Sequence, residues 1–392
     1  MRMKRTVSRR PLGVLSAALP LSALAIAGAL SCGGDGDEGP KYKGVDISGD
    51  PPEFLSDMNL MRWDGSQVIY EEGVEPYDLA NPLFSDYAVK NRAIFIPEGS
   101  KIQYRDVAAF EFPVGTVILK SFMFPADLRS PGENIDLVET RVLVHYEDGW
   151  KAFPYLWDHE IGDAVLKVAG DTRPITFVDL DGQEQTAQYL VPQKNQCADC
   201  HTLKDLDTGE NYLTPIGPKA RHMNRESPAH AGENQLTHLA DAGWLEGLPA
   251  IDQVESDWAF GPFEQPDVST LSPEDLNKAA RDYLDINCAH CHNPAGVNGI
   301  SSQLFLNYDN ADDFHLGVCK KPGSAGAGGV DRDYDIVPGD AEASILVYRT
   351  ETLDTGAMMP LLGRSLHHAE GVGVLRAWID GMAPVDCLNP NP

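Results

Sequence analysis

The chain has 392 residues, more than one typical domain holds, so two or three domains are expected. Hydrophobic residues at 42%, aromatic residues at 8% and charged residues at 23% exclude a wholly disordered or collagen-like chain. A formal charge of -28 counts against nucleic acid as a partner, because phosphate binding needs a basic surface, and leaves basic proteins and small ligands.

Residues 1–31 read as an export signal. Arg2, Lys4, Arg5, Arg9 and Arg10 precede an apolar stretch from Leu12 to Leu30, and no acidic residue interrupts them. The stretch ends in Ala29-Leu30-Ser31-Cys32, which resembles the lipobox of bacterial lipoproteins, with Ala29 where that motif prefers Leu. The resemblance implies that the Cys32 thiol takes a diacylglycerol and becomes the new N-terminus; cleavage near Ser31 without lipid is the alternative. Residues 32–44 form a polar tether with the slack a lipid-held body needs. Gly33 after the cysteine, in place of Asp, suits an outer-membrane anchor facing the periplasm. Loss of the signal removes five of the 31 basic residues and none of the 59 acidic ones, which leaves a formal charge of -33. Arg9-Arg10 after Ser8 resembles a twin-arginine signal, but the cofactor argued below is attached to an unfolded chain after general secretion.

Residues 45–191 alternate with period two. Arg141 to Tyr146 and Trp150 to Trp157 flank Glu147-Asp148-Gly149, and Ile175 to Leu180 is followed by Asp181-Gly182 and Gln185 to Val191, so two hairpins are expected. The run from Ala109 to Phe124, broken by Pro113 and Gly115, reads as a bent or edge strand. The section is expected to be a mostly antiparallel β domain, a sandwich or barrel, with Trp63, Trp150, Tyr155 and Trp157 in its core.

Residues 192–262 hold Cys197-Ala-Asp-Cys200-His201, and Cys288-Ala-His-Cys291-His292 follows 91 positions later. Both are Cys-x-x-Cys-His, the attachment sequence for c-type haem: two thiols three positions apart reach both vinyl groups of one porphyrin, and the adjacent histidine is delivered to the iron. A redox dithiol or half a zinc site is a fair reading of one isolated copy, but not of two copies in an exported chain, each with His in fifth place. Two covalent haem c groups are therefore expected, on Cys197 and Cys200 with His201 axial, and on Cys288 and Cys291 with His292 axial. Of seven cysteines, Cys32 goes to lipid and four to haem; Cys319 and Cys387 remain, and in an oxidising compartment a disulfide is the economical reading. One helix is expected near Glu233 to Leu245, with Gly243 near its end. The section is short for an autonomous cytochrome fold, so the first haem is expected between the β domain and this helical cover.

Residues 263–392 read as an all-α cytochrome c domain. Ser272 caps a helix with Pro273 at its first position, and Leu276, Ala279, Ala280, Tyr283 and Leu284 repeat at helical spacing into Cys288. Ala369 to Asp380 sets Val372, Leu375, Trp378 and Ile379 on one face, closed by Gly381. The expected fold class is thus multidomain α+β: an N-terminal antiparallel β domain, a helical haem region, and a C-terminal all-α cytochrome c domain.

Met358-Met359-Pro360 makes this last section resemble the small His/Met cytochrome c family, in which a methionine before proline supplies the sixth ligand. The resemblance implies Met359 as the partner of His292 on the second iron, with Met358 the near alternative, and a raised reduction potential. Val337-Pro338-Gly339-Asp340, then Ser344-Ile345-Leu346 and Arg349, resembles the same family. Most of the mature chain also resembles a family of bacterial dihaem c-type lipoproteins, in Asn81-Pro82-Leu83-Phe84-Ser85-Asp86-Tyr87, Phe112-Pro113-Val114-Gly115-Thr116, Val191-Pro192 and Ile216-Gly217-Pro218-Lys219-Ala220-Arg221. That implies electron transfer by two haems and brings no substrate.

For the first iron the sixth ligand stays open among Met223, His222, His230 and His238, with Met223 slightly preferred. Asp331, Asp333 and Asp335 alternate like the opening of a calcium loop, but Ile336 stands where a glycine is needed. Gly323 to Gly329 has no phosphate-loop context and reads as a flexible loop. His367-His368 reads as exposed. The expected function is a lipid-anchored electron carrier serving redox proteins with basic docking faces, rather than an enzyme. A dihaem peroxidase-like enzyme, or a haem sensor with one open iron, is the alternative, although 91 positions is a short separation for peroxidase haem domains.

Overall fold

A computed structural model describes residues 43–260, 263, 266–297, 302–323 and 329–388. The signal, Cys32, most of the tether and the middle of Gly323–Gly329 lie outside the described residues. Up to residue 191 the strands are β1 (Met61–Trp63), β2 (Val68–Tyr70), β3 (Val74–Tyr77), β4 (Val89–Phe95), β5 (Ile102–Gln103), β6 (Val117–Pro125), β7 (Ile135–Tyr146), β8 (Gly149–Asp158), β9 (Asp163–Leu166), β10 (Asp171–Val178) and β11 (Glu184–Val191). Helices then enter as α1 (Cys197–His201), α2 (Ala220–Met223), α3 (Gln235–Asp241), α4 (Pro273–Asn287), α5 (Asp313–Leu316), α6 (Ile345–Glu351) and α7 (Ala369–Asp380). Three short strands lie among them: β12 (Thr202–Lys204), β13 (Asn211–Leu213) and β14 (Leu245–Glu246).

The sheet at the centre is antiparallel with the order β3-β4-β6-β7-β8-β9. It is open, with β3 and β9 at its edges, and so is not a barrel. Alternation covers both faces. Ala93, Leu119, Val142 and Phe153 stand abreast on one face and pack with Leu55, Met58 and Leu60 from the N-terminal approach. Ile94 and Ile118 stand on the other, in a core shared with Ala220, Met223, Leu236 and Ile286. Both expected hairpins form, as β7-β8 and β10-β11. Tyr155 and Trp157 are core, with the Trp157 indole donating to Thr140 Oγ1 at 3.0 Å. The run from Ala109 to Phe124 departs from expectation. Pro113 and Gly115 sit in a turn closed by Thr116 N donating to Pro113 O, and this frees β6 from Val117 to serve as an interior strand between β4 and β7.

Residues 263–392 do not form an all-α cytochrome c domain, and the multidomain arrangement gives way with it. Of the four helices described there, α4 and α7 have 15 and 12 residues and the other two 4 and 7; loops with the parallel bridges Val318↔Ile336 and Tyr334↔Ser344 lie between them. Periodicity of 3.6 runs only through α4 and α7. Between them the apolar side chains Leu304, Leu306, Leu316 and Ile336 join the core, three of them from loops and Leu316 from the end of α5. Tyr42–Pro392 is one compact unit. Asn81–Tyr87 ties its sections together. Asn81 Nδ2 donates to Trp258 O, Phe84 N donates to Asn287 Oδ1, and Asp86 accepts from Ser365 N and Leu366 N.

Helix α4 begins as its sequence requires, with Ser272 Oγ accepting from Asp275 N at 3.1 Å, and α7 spans the residues its spacing indicates. They meet at Gly371, where a Cβ would lie 2.3 Å from the Tyr283 ring. Helix α3 is shorter than expected at both ends: Asn234 caps it, accepting from Leu236 N and Thr237 N, and it stops at Asp241, ahead of Gly243 with its positive φ. Among the described residues no helix is long and apolar enough to cross a membrane.

Candidate functional site

A single helical turn puts positions i and i+3 on one face, so α1 holds Cys197 and Cys200 together with His201 behind them. The hairpin β12-β13 then returns Thr214 to the histidine: His201 Nδ1 donates to Thr214 O at 2.8 Å, which leaves Nε2 with its lone pair. Burial pushes the His201 imidazole down to about 4, so it is neutral and able to bind a metal.

Above α1 opens a cavity of about 140 Å³ between the sheet and the segment Pro215–Pro218. Ile118, Leu143, Ala152 and Ile216 make its apolar wall. Arg92, Lys120 and Arg141 line it as well, abreast on β4, β6 and β7. Like charges directly opposed across strands repel. Arg92 is paired with Asp78 at 2.9 Å and Arg141 with Glu139 through two 2.9 Å bonds, but among the described residues Lys120 has no carboxylate partner. Its amine is pushed well below the usual lysine range by burial and by the two arginines. Arg92 Nη2 and His290 Nδ1 are buried without a hydrogen-bond partner among the described residues. The cavity is thus apolar in body, cationic on one wall, and equipped with two imidazoles and two thiols.

Helix α4 delivers the second motif. His292 N and Cys291 N both donate to Cys288 O, a turn kept tight by Gly296, where a Cβ would lie 2.0 Å from Cys291 O. Burial pushes His292 down to about 4 also, and its Nδ1 is 3.4 Å from Ser302 Oγ. The two motifs touch. Cys291 Sγ donates to Asp199 O at 3.5 Å, and Lys204 N donates to Ala295 O at 2.8 Å beside the bridge Leu203↔Gly296. His290, within the second motif, lines the cavity of the first.

Met359 N donates to Arg349 O, and Arg364 Nε holds Met359 O at 3.1 Å. Arg349 in turn is close enough to His292 to help depress it, and its Nε is buried without a partner among the described residues. Pro360 lines the cavity at His201. Met223 does not: it is fully buried in the core with Leu236 and Leu239. His222 is no ligand either, since Asp257 takes its Nδ1 and Asp285 its Nε2. His230 and His238 gather around Glu75 instead. His368 is buried, not exposed, stacked 4.5 Å from Phe84, with Nδ1 3.2 Å from Tyr283 OH. Asp335 is committed to Lys320 at 3.0 Å, so the three aspartates do not converge as a calcium loop would. Cys319 and Cys387 form a disulfide.

The residues that sequence reading missed at the cavity are His290 and Lys120. His290 occupies a free position of its motif, and Lys120 sits in a strand that reads as ordinary alternation; neither carries a local signal. Among the described residues only Glu75, His230 and His238 bring three ligand atoms within 4.8 Å, so the four motif cysteines do not meet at one point as a four-thiolate zinc site requires. Comparison with known proteins finds no matching family model, no similar curated protein and no similar solved structure.

Proposed function

We propose that the protein is a dihaem c-type cytochrome of the bacterial cell envelope, held by lipid at Cys32, that passes single electrons between redox proteins. The observation that carries this reading is the contact between two Cys-x-x-Cys-His segments 91 positions apart, each ending in a buried neutral imidazole. Haem, when bound, supplies reversible one-electron iron chemistry. The chain supplies attachment, orientation and exclusion of water. Cys197 with Cys200, and Cys288 with Cys291, would hold the two porphyrins through thioethers, and His201 and His292 would hold the irons, the first oriented by Thr214 O. Arg92, Lys120 and Arg141 fit the carboxylates that such a macrocycle carries, and the apolar wall suits its body. Met359 would be the second protein group holding the iron bound by His292. For the iron at His201, His290 and Lys120 line the cavity and replace Met223 as the side chains in reach.

The test is the visible spectrum of the mature protein, reduced with dithionite and then exposed to carbon monoxide. The expected result is c-type bands that carbon monoxide leaves unchanged, meaning that each iron has both of its protein ligands in place. Absence of c-type bands would overturn the proposal. A shift in half of the haem would mean one open iron and move the protein to the peroxidase-like enzyme or sensor class.

A further inference from the structure

Away from the cysteines, a loop, an edge strand and a helix bring three ligating groups together. Glu75 projects from β3, the edge of the central sheet. His238 lies at the middle of α3, and His230 sits in the preceding loop, where Ser227 Oγ accepts from both Ala229 N and His230 N. Glu75 Oε1 is 3.1 Å from His230 Nε2 and 3.6 Å from His238 Nε2, and the two imidazoles stack with centroids 3.6 Å apart. Glu233 Oε2 accepts from His238 Nδ1 at 2.9 Å.

That last bond decides the chemistry. It leaves His238 Nε2 turned toward Glu75, and His230 presents its own Nε2 to the same carboxylate oxygen. One ligand atom from each of the three residues thus lies within 4.8 Å of the others. In a tetrahedral site with metal bonds of 2.0–2.1 Å, neighbouring ligand atoms are about 3.3 Å apart, a value the two measured separations bracket. Glu233 is the outer carboxylate that fixes the tautomer of a metal-bound histidine.

We propose that Glu75, His230 and His238 bind a divalent first-row transition metal ion of the zinc type, with Glu233 orienting His238. Two imidazoles and one carboxylate suit zinc better than the oxygen-preferring calcium or magnesium. The His230 side chain is 35% exposed, so a fourth position faces solvent and a water completes the shell. The ion fastens edge strand β3 to the segment leading into α3. The site is independent of the haem reading.

The experiment is zinc titration of the full haem-matured chain, purified without a histidine tag and stripped with chelator, by calorimetry and by metal content after dialysis. One zinc per chain is expected for the natural sequence, with a rise in unfolding temperature on zinc addition. His230→Gln and His238→Gln lose both responses. Glu233→Gln, a conservative change at an exposed side chain, keeps the fold and weakens zinc about 10- to 100-fold. The haem spectrum stays unchanged in every variant. No retained zinc in the natural sequence, retention unaltered by the histidine changes, or a haem spectrum altered by His238→Gln would each overturn the proposal.

Discussion

Lys219, Arg221 and His222 look in the sequence like a short basic run, yet each is held against a buried carboxylate from further along the chain. Lys219 Nζ and His222 Nε2 both reach Asp285 Oδ2, at 2.7 and 2.8 Å, while Asp285 Oδ1 accepts from Tyr308 N at 3.0 Å. Arg221 pairs with Asp257 and Asp282 and lies 3.0 Å over the Tyr308 ring. Removing one partner leaves buried charge uncompensated, so Asp285→Asn is expected to cost about 3–5 kcal/mol in a denaturant titration. A loss below about 1 kcal/mol would mean that the neighbouring aspartates take over its role. Burial alone would lower the His222 pKa, but Asp257 and Asp285 hold it above the ordinary value; burial would raise Asp285, but Lys219 and His222 pull it well down. The His222 contribution is therefore complete below about pH 6.5 and lost as pH rises through its raised folded value. The Asp285 contribution is present above about pH 3.9 and lost as pH falls. Unfolding temperature measured against pH should decline on the alkaline side of neutrality, and His222→Gln should flatten that decline.

Among the elements, α4 and α7 were legible because cap, helical spacing and terminator all lie within the segment. Their mutual approach was not. Gly371 reads as a weak helix residue, and only the packed pair reveals that it clears the Tyr283 ring. Gly371→Ala adds a methyl group where there is no room and is expected to lower stability by about 1–3 kcal/mol despite the better helix propensity, measurable by thermal unfolding. An unchanged or raised melting temperature would show that the helices can part at no cost. The strand β6 carried the opposite problem. Its Pro and Gly neighbours signal an edge, but they end before Val117, and hydrogen bonds to β4 and β7 make it interior. Strand order is a matter of partners, which the alternation of one segment does not contain.

Across the whole molecule, the disulfide Cys319–Cys387 joins the loop after α5 to the end of the chain over 68 positions. Closing a loop of that length limits the unfolded chain, and Cys387→Ser should cost about 2–4 kcal/mol of stability, measured by denaturant titration in non-reducing conditions. Equal stability of the two forms would mean that tail attachment contributes little. If the protein is the electron carrier proposed above, the charge of -33 on the chain from Cys32 onward predicts a second whole-molecule effect: electron exchange with a basic partner should slow as salt rises through the physiological range, measured by stopped-flow mixing. A rate that climbs with salt would exclude docking by charge.

Local sequence by itself determined the motifs, the two hairpins, helices α4 and α7 and the pairing of the two remaining cysteines, because spacing, turns, caps and parity act over a few residues or by elimination. Tertiary structure alone decided that the two Cys-x-x-Cys-His segments touch, that His290 and Lys120 border the cavity while Met223 lies in the core, and that His230 and His238 converge on Glu75. It also decided that residues 263–392 join one compact unit instead of forming an all-α domain. These outcomes rest on contacts between residues far apart in the chain. Burial and Coulomb interaction depend on distance in space, and no periodicity within a segment encodes that distance.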